Sequence, residues 1–162
     1  MELKDSGCKQ ELSQAKPIFG YTDTETVKLD FDDIPFKKVK YWAERAMNWF
    51  KLGGYIILKS SKNCYHVVFD RSVSWTENMS IVAWVALQSQ NRGLVKWLLM
   101  QDIKKSSTLR VSSKVKKKAP RIVFIQGNQD EEITKFLKHR QQLKRISSII
   151  ENSVQLTSKI YQ

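Results

Sequence analysis

The chain contains the stretch Val27-Lys28-Leu29-Asp30-Phe31-Asp32-Asp33, in which apolar and polar residues alternate. A period of two is typical of a half-buried β-strand. Alternation directs Leu29 and Phe31 into a core and places Asp30 and Asp32 together on the opposite face. Two carboxylates one residue apart at the end of a strand can share divalent cations. The stretch therefore predicts a central strand and a candidate metal site at its end.

Regular elements are predicted after this strand. Apolar residues recur at helical spacing after Pro35 and over Thr76–Gln90, and the apolar run Leu94–Met100 fits a helix or a buried strand, with the helix preferred. A last helix is predicted to begin near Asp130, where acidic residues suit a helix N-terminus. Further β-rich runs predict strands at Tyr55–Lys59, Tyr65–Asp70, Thr108–Ser112 and Arg121–Gln126.

The predicted order of elements is β-α-β-β-α-(α)-β-β-α. This order indicates an α/β (α+β) domain with a mainly antiparallel sheet and helices packed on it. Its first half has the layout of an RNA-recognition-like, or ferredoxin-like, βαββαβ core. Because that layout serves many unrelated functions, the function has to be argued from the site.

Size and composition predict one domain in a basic chain. The 162 residues suit a single core, which we place at residues 25–150, between a polar N-terminal arm (residues 1–24) and a C-terminal tail (residues 151–162). The net charge of +12 favours a polyanionic partner. No apolar run approaches the roughly 18 residues of a membrane span, and the N-terminus lacks the apolar core of a signal peptide. We therefore expect no membrane association and an intracellular, cytoplasmic location.

A polar turn, Ser60-Ser61-Lys62-Asn63-Cys64-Tyr65-His66, is the second candidate feature. It runs into the apolar Val67-Val68-Phe69 and so places the imidazole of His66 at the edge of a strand. Each feature also has a simpler interpretation. The carboxylates could form a solvated strand end, with Asp33 capping the next helix, and His66 could be a buried imidazole bonded to a backbone carbonyl.

A basic segment is the third feature. Between Lys104 and Arg121 the chain has eight basic residues and no acid. A charge run of this kind is usually a solvated surface, here predicted as a hairpin. Arg110, however, lies within an apolar strand, where an unpaired guanidinium would be costly to bury. We therefore expect Arg110 to face a carboxylate or a bound phosphate.

Together the three segments resemble the catalytic core of the archaeo-eukaryotic primase superfamily, in particular the short primase-polymerase domains of archaeal viruses, plasmids and other mobile elements. That family combines a strand ending in Asp-x-Asp, a polar turn ending in His before an apolar strand, a further Asp, and a strand with Leu-Arg plus Lys. In this chain the features fall on Asp30 and Asp32, on Ser60 through His66, on Asp102, and on Leu109, Arg110 and Lys114. The resemblance spans roughly residues 26–126. The His turn lacks the glycine often found in the family, and Asp70 competes with Asp102 for the position of the third carboxylate.

The resemblance implies metal-dependent nucleotidyl transfer in DNA replication or primer synthesis. Asp30, Asp32 and Asp102 would be catalytic residues that hold Mg²⁺ or Mn²⁺. A nucleoside triphosphate would be bound by Ser60, Ser61, Lys62, His66 and Arg110. A single-stranded template would be bound by Lys114, Lys116, Lys117, Lys118 and Arg121, and a replication protein is a further expected partner.

Two other functions compete with nucleotidyl transfer. The chain could be a non-catalytic RNA-recognition-like or replication-initiator module, with the basic segment binding phosphates and strand aromatics stacking on bases. The aromatics in question are Phe31, Tyr55, Tyr65, Phe69 and Phe124. A metal-dependent nuclease is the third interpretation, and it would use Lys28, which shares a strand face with Asp30.

Overall fold

The computed structural model of the chain describes residues 17–160, except the side chains of residues 154 and 157–160. Within this range it contains six strands and four helices. They are, in chain order, β1 (Gly20–Asp23), β2 (Thr26–Phe31), α1 (Phe36–Phe50), β3 (Gly54–Ser61), β4 (Cys64–Ser72), α2 (Trp75–Ser89), α3 (Arg92–Lys104), β5 (Ser107–Arg110), β6 (Arg121–Gly127) and α4 (Glu132–Ile160).

Local chemistry explains where three of the helices begin. Pro35, whose φ of −70° suits a helix start, precedes α1. The hydroxyl of Ser74 accepts a hydrogen bond from the backbone N–H of Glu77 at 3.2 Å and caps α2. The side-chain oxygen of Asn91 accepts one from the N–H of Leu94 at 2.9 Å and caps α3. The helices predicted from apolar spacing are confirmed, including the helix at the ambiguous run Leu94–Met100.

The strands form two antiparallel sheets. The larger has the order β2-β4-β3-β6, and the smaller pairs β1 with β5. The α+β class with a mainly antiparallel sheet and packed helices is therefore confirmed. The segment from β2 to β4 forms the split β-α-β unit of ferredoxin-like folds, with β4 between β2 and β3. The next strand in the chain, β5, leaves this sheet, and β6 completes it by pairing with β3.

Both faces of the larger sheet are covered, one by α1 and the other by the smaller sheet. On one face, the ring of Phe36 in α1 packs against Tyr65 and Phe124, at centroid distances of 5.8 and 6.2 Å. On the other face, Lys28 points from β2 to the smaller sheet. Its ammonium donates to Asp23 Oδ1 at 2.5 Å and to Ser107 Oγ at 2.9 Å. Lys28 is thus fully buried and tied to β1 and β5.

Three predictions about organisation need correction. β1 lies within the segment predicted to be a polar arm, whereas residues 1–16 of that arm are outside the described residues. α4 continues to Ile160, through most of the predicted tail. The basic segment is not a hairpin between β5 and β6, because these strands pair with β1 and β3 instead. No helix in residues 17–160 is long and apolar enough to span a membrane.

Candidate functional site

Asp30 and His66 meet across two neighbouring strands. They are directly opposite each other in the β2–β4 pairing, so their side chains share one face of the sheet. His66 Nε2 lies 3.4 Å from Asp30 Oδ1. His66 is buried, whereas the side chain of Asp30 retains 30% exposure. Two features separated by three dozen residues in the sequence thus come together in one cluster.

Burial sets the protonation of this pair. Desolvation, followed by repulsion from Asp32, raises the pKa of Asp30 to about 7, although Arg110, Lys114 and Lys117 oppose the shift. Desolvation, followed by repulsion from Arg110 and Lys114, lowers the pKa of His66 to about 3. His66 is therefore neutral at neutral pH, and its contact with Asp30 is not an ion pair.

Arg110 connects the hairpin turn to the basic segment. Its Nη2 donates to Ser60 Oγ at 3.1 Å. Its Nη1 donates to the backbone oxygens of Ser112 and of Lys118, the latter at 3.1 Å. Its positive charge opposes the rise in the pKa of Asp30. The hydrogen-bond partners of Arg110 are thus a hydroxyl and two backbone oxygens, whereas the sequence predicted a carboxylate or a bound phosphate.

A basic cleft of about 640 Å³ opens between the hairpin turn and the basic segment. The backbones of Lys114 and Lys117 hydrogen-bond to each other in both directions, at 2.9 Å each, which folds the segment into a turn. Most of the residues predicted to bind nucleotide or template line this cleft, namely Ser60, Ser61, Lys62, Lys116, Lys117, Lys118 and Arg121. Arg110 bonds to Ser60 and to Lys118, which both line the cleft, and so links the hairpin turn to the basic segment.

Asp32 is held at the N-terminus of α3. The side chain of Asn91 donates to the backbone oxygen of Asp32 at 2.7 Å while it caps the helix. Gly93 allows the close approach, because a Cβ there would lie 2.5 Å from the Cβ of Asp32 and 2.8 Å from its Oδ2. The Asp32 side chain is exposed. Neither Asn91 nor Gly93 was predicted as a supporting residue, although an Asn directly before a helix is a recognisable cap signal.

Neither candidate for the third carboxylate joins this site. Asp102 is exposed and contacts Lys105 at 3.3 Å. It follows Gly93 by nine residues in α3, which places it about 14 Å along the helix axis from the end that holds Asp32. The prediction of Asp102 as a catalytic metal ligand is therefore wrong in its placement.

Asp70 has a different, structural role. Its carboxylate accepts hydrogen bonds from the backbone N–H groups of Asp130, Glu131 and Ile133, at 3.2, 3.1 and 3.1 Å. These donors lie at the start of α4, where they would otherwise have no intrahelical partner. Asp70 is thus the N-terminal cap of α4 and is not free to bind a metal.

The two remaining carboxylates fit a divalent cation shared with a substrate. Among residues 17–160, no group of three or more His, Cys, Asp or Glu side chains is placed to hold a metal ion. Mg²⁺ commonly uses one or two carboxylates and completes its shell with substrate phosphates and water. Asp30 and Asp32 provide that number, and their mutual repulsion is the kind that a bound cation relieves. The donor set suits Mg²⁺ or Mn²⁺ with a phosphate ligand.

The strand aromatics and Lys28, which two competing functions would use, have other roles in the fold. Phe31, Tyr55, Tyr65 and Phe69 are buried, and Phe124 is covered by Phe36 and the ammonium of Lys40. These aromatics therefore do not form a stacking surface for RNA bases. Lys28 is committed to Asp23 and Ser107, so it does not assist Asp30 as a nuclease would require.

Comparisons with protein-family models, curated proteins and solved structures gave no match.

Proposed function

We propose that this chain is a nucleotidyltransferase of the primase-polymerase type, which joins nucleotides on a single-stranded template with Mg²⁺ or Mn²⁺. Two observations support the proposal: His66 contacts Asp30 at 3.4 Å, and Arg110 bonds to Ser60 and Lys118, which line the basic cleft. Phosphoryl chemistry needs cations around the triphosphate and carboxylates for a divalent metal, side by side. A solvated strand end would not hold a carboxyl group with a pKa near 7 against a buried imidazole.

The cleft provides the charge for binding a triphosphate. Lys62 and the three lysines at 116–118 face the same space, and the hydroxyls of Ser60 and Ser61 lie beside them. His66 is neutral, so it contributes a single N–H donor and no positive charge. We therefore assign electrostatic stabilisation to the lysines and Arg110, and orientation of a phosphate to His66.

Asp30 and Asp32 are the residues that would hold the divalent cation. A cation held there would supply charge neutralisation for the phosphates and activation of the attacking 3′-hydroxyl. Asp30 must lose its proton to serve as a ligand, because only the carboxylate coordinates Mg²⁺. Asp32, at the N-terminus of α3, is held in place through its backbone by Asn91.

A non-catalytic nucleic-acid-binding module is the second candidate. It is favoured because, among the described residues, no third carboxylate lies with Asp30 and Asp32 to hold a metal ion. Incorporation of a labelled nucleotide on a single-stranded template separates the two functions, since a binding module retains the template and incorporates nothing.

Divalent cations are expected to raise the melting temperature of the native chain, and more at pH 8 than at pH 6. Below a pKa of about 7, a proton on Asp30 competes with the cation, so the apparent affinity falls by up to about tenfold per pH unit. Above that pKa the affinity levels off. Differential scanning fluorimetry with Mg²⁺ or Mn²⁺ measures the shift.

Asp30→Ala/Asp32→Ala should lose this shift, whereas the control Asp102→Ala should keep it, because Asp102 contacts only Lys105 at the surface. Equal shifts in the native chain and the double variant would contradict the cation site.

Binding of single-stranded nucleic acid is expected to weaken steeply with salt. Each phosphate contact releases condensed counterions, so replacing Lys116, Lys117 and Lys118 with Gln should flatten the log–log slope by about 2. Titrations between low and moderate salt, followed by fluorescence anisotropy, measure the slope. The matched control replaces three exposed cations of α4, Lys138, Lys144 and Arg145, with Gln. An equal change of slope in both triple variants would show that the cleft is not the binding site of the template.

A further inference from the structure

The outer face of α1 combines cations and aromatic rings. Lys37, Tyr41, Arg45 and Trp49 follow one another at intervals of four residues, so each is a neighbour of the next and together they form a row that winds slowly around the exposed surface of the helix. All four are exposed, Tyr41 by 49% and Trp49 by 70%. We call these four residues the α1 stripe. Helix α1 has four Lys or Arg residues and a single acid, Glu44, so the stripe is electropositive.

The end of the stripe forms an aromatic pair with α2. The rings of Trp49 and Trp84 are nearly parallel, with an interplanar angle of 9° and centroids 6.3 Å apart. Phe50 packs edge-on against Trp84 at 5.3 Å and fixes its orientation. A cavity of about 280 Å³ lies here, lined by both indoles together with Arg45 and Asn48. Flat aromatic surface, a cation and an amide therefore border one small space.

The geometry points to a base-stacking surface for single-stranded nucleic acid along the α1 stripe, which ends at the Trp49–Trp84 pair. Exposed indoles bind bases of any sequence, and neighbouring cations bind the phosphates between them. The guanidinium of Arg45 is held over Tyr41, with its Nη1 donating to the phenolic oxygen at 3.0 Å and its Cζ 5.5 Å from the ring centroid. This contact orders both side chains before a ligand arrives.

The α1 stripe is placed where it could bind single-stranded nucleic acid that extends from the basic cleft. Helix α1 begins a few residues after Asp32, and the backbone N–H of Ile34 donates to the oxygen of Asn63 in the hairpin turn beside the cleft. From Lys37 to Trp49 the helix extends about 18 Å, enough for several nucleotides. The inference rests on the proposed function only because both require a single-stranded ligand.

A contrast within the molecule supports nucleic acid as the occupant. Helix α3 also exposes large apolar residues, namely Val95, Leu99, Met100 and Ile103, but they are aliphatic and offer no ring for stacking. The α1 stripe instead alternates rings with cations. This pattern is complementary to bases and phosphates.

The test compares two single-stranded 16-mers of equal charge, oligo-dT and an abasic strand, by fluorescence anisotropy in EDTA. Trp49→Ala should weaken oligo-dT binding by about tenfold, within the range for loss of one stacked base. It should change binding of the abasic strand less than twofold. The control Ile103→Ala, at an apolar position that is 82% exposed on α3, should leave both affinities unchanged.

An equal effect of Trp49→Ala on both strands, or none on either, would overturn the inference. So would a change from dimer to monomer in light scattering with unchanged oligo-dT binding, because the stripe would then join two copies of the chain. Since EDTA removes divalent cations, none of these outcomes depends on whether the cluster around Asp30 catalyses transfer.

Discussion

Asp32→Ala is expected to lower nucleotide incorporation by about a thousandfold or more, because a metal ligand stabilises the transition state by several kcal/mol. Asp32 is exposed, and the hydrogen bonds that position it join its backbone to Asn91. The substitution should therefore leave the fold intact. Steady-state incorporation on a saturating template, together with anisotropy measurements of template affinity, measures the effect. Template affinity should be unchanged or slightly higher, since a negative charge has been removed.

His66→Ala provides an informative contrast. A residue that orients the triphosphate should raise KM more than it lowers kcat, because its contact exists already in the bound substrate. Asp102→Ala should leave both parameters near native values. If Asp32→Ala kept more than a tenth of native incorporation, or Asp102→Ala lost as much as Asp32→Ala, the assignment of the carboxylates would be wrong.

Asp70→Ala is expected to cause the largest loss of stability, about 3 kcal/mol. It removes the acceptor for three backbone N–H groups at the start of α4 and leaves the buried donor of Ile133 without a partner. It also removes a negative charge from a helix N-terminus. For a chain of this size the melting temperature should fall by about 6–12 °C.

Two variants check the cause of this loss. Asp70→Asn keeps one acceptor oxygen, so its melting temperature should lie between those of Asp70→Ala and the native chain. Asp102→Ala removes only an exposed ion pair and should cost less than about 1 kcal/mol. A fall of less than about 2 °C for Asp70→Ala, or loss of the Mg²⁺-induced shift in the Asp70→Asn variant, would restore Asp70 as a ligand candidate.

Much of the fold could be predicted from local pattern. The strand Thr26–Phe31, the two strands of the hairpin and most of the helices follow from apolar periodicity. β1 was missed because it has only four residues and pairs with β5, more than 80 residues away in sequence. Such pairing depends on which sheet edges are free, and no local signal records it.

In the candidate site, too, local pattern predicted some features, whereas others depend on the tertiary structure. Alternation and strand pairing bring Asp30 and His66 together. The cost of burying a guanidinium predicted that Arg110 has polar partners, but these are a hydroxyl and backbone oxygens and not the expected carboxylate or phosphate. The position of a third carboxylate could not be derived in this way. Asp102 was chosen from its order in the chain, but the length of α3 decides how far it lies from Asp32. The closeness of Gly93 to Asp32 likewise exists only in the tertiary structure.

Incorporation of labelled nucleotides by the native chain tests the central claim most directly. The measurement uses primed and unprimed single-stranded templates, ribo- and deoxynucleoside triphosphates, and Mg²⁺ or Mn²⁺ at pH 8, where Asp30 is ionised. We expect cation-dependent extension that EDTA and Asp30→Ala/Asp32→Ala both abolish. A native chain that binds the template but incorporates neither kind of nucleotide with either cation would contradict the claim and identify the chain as a binding module.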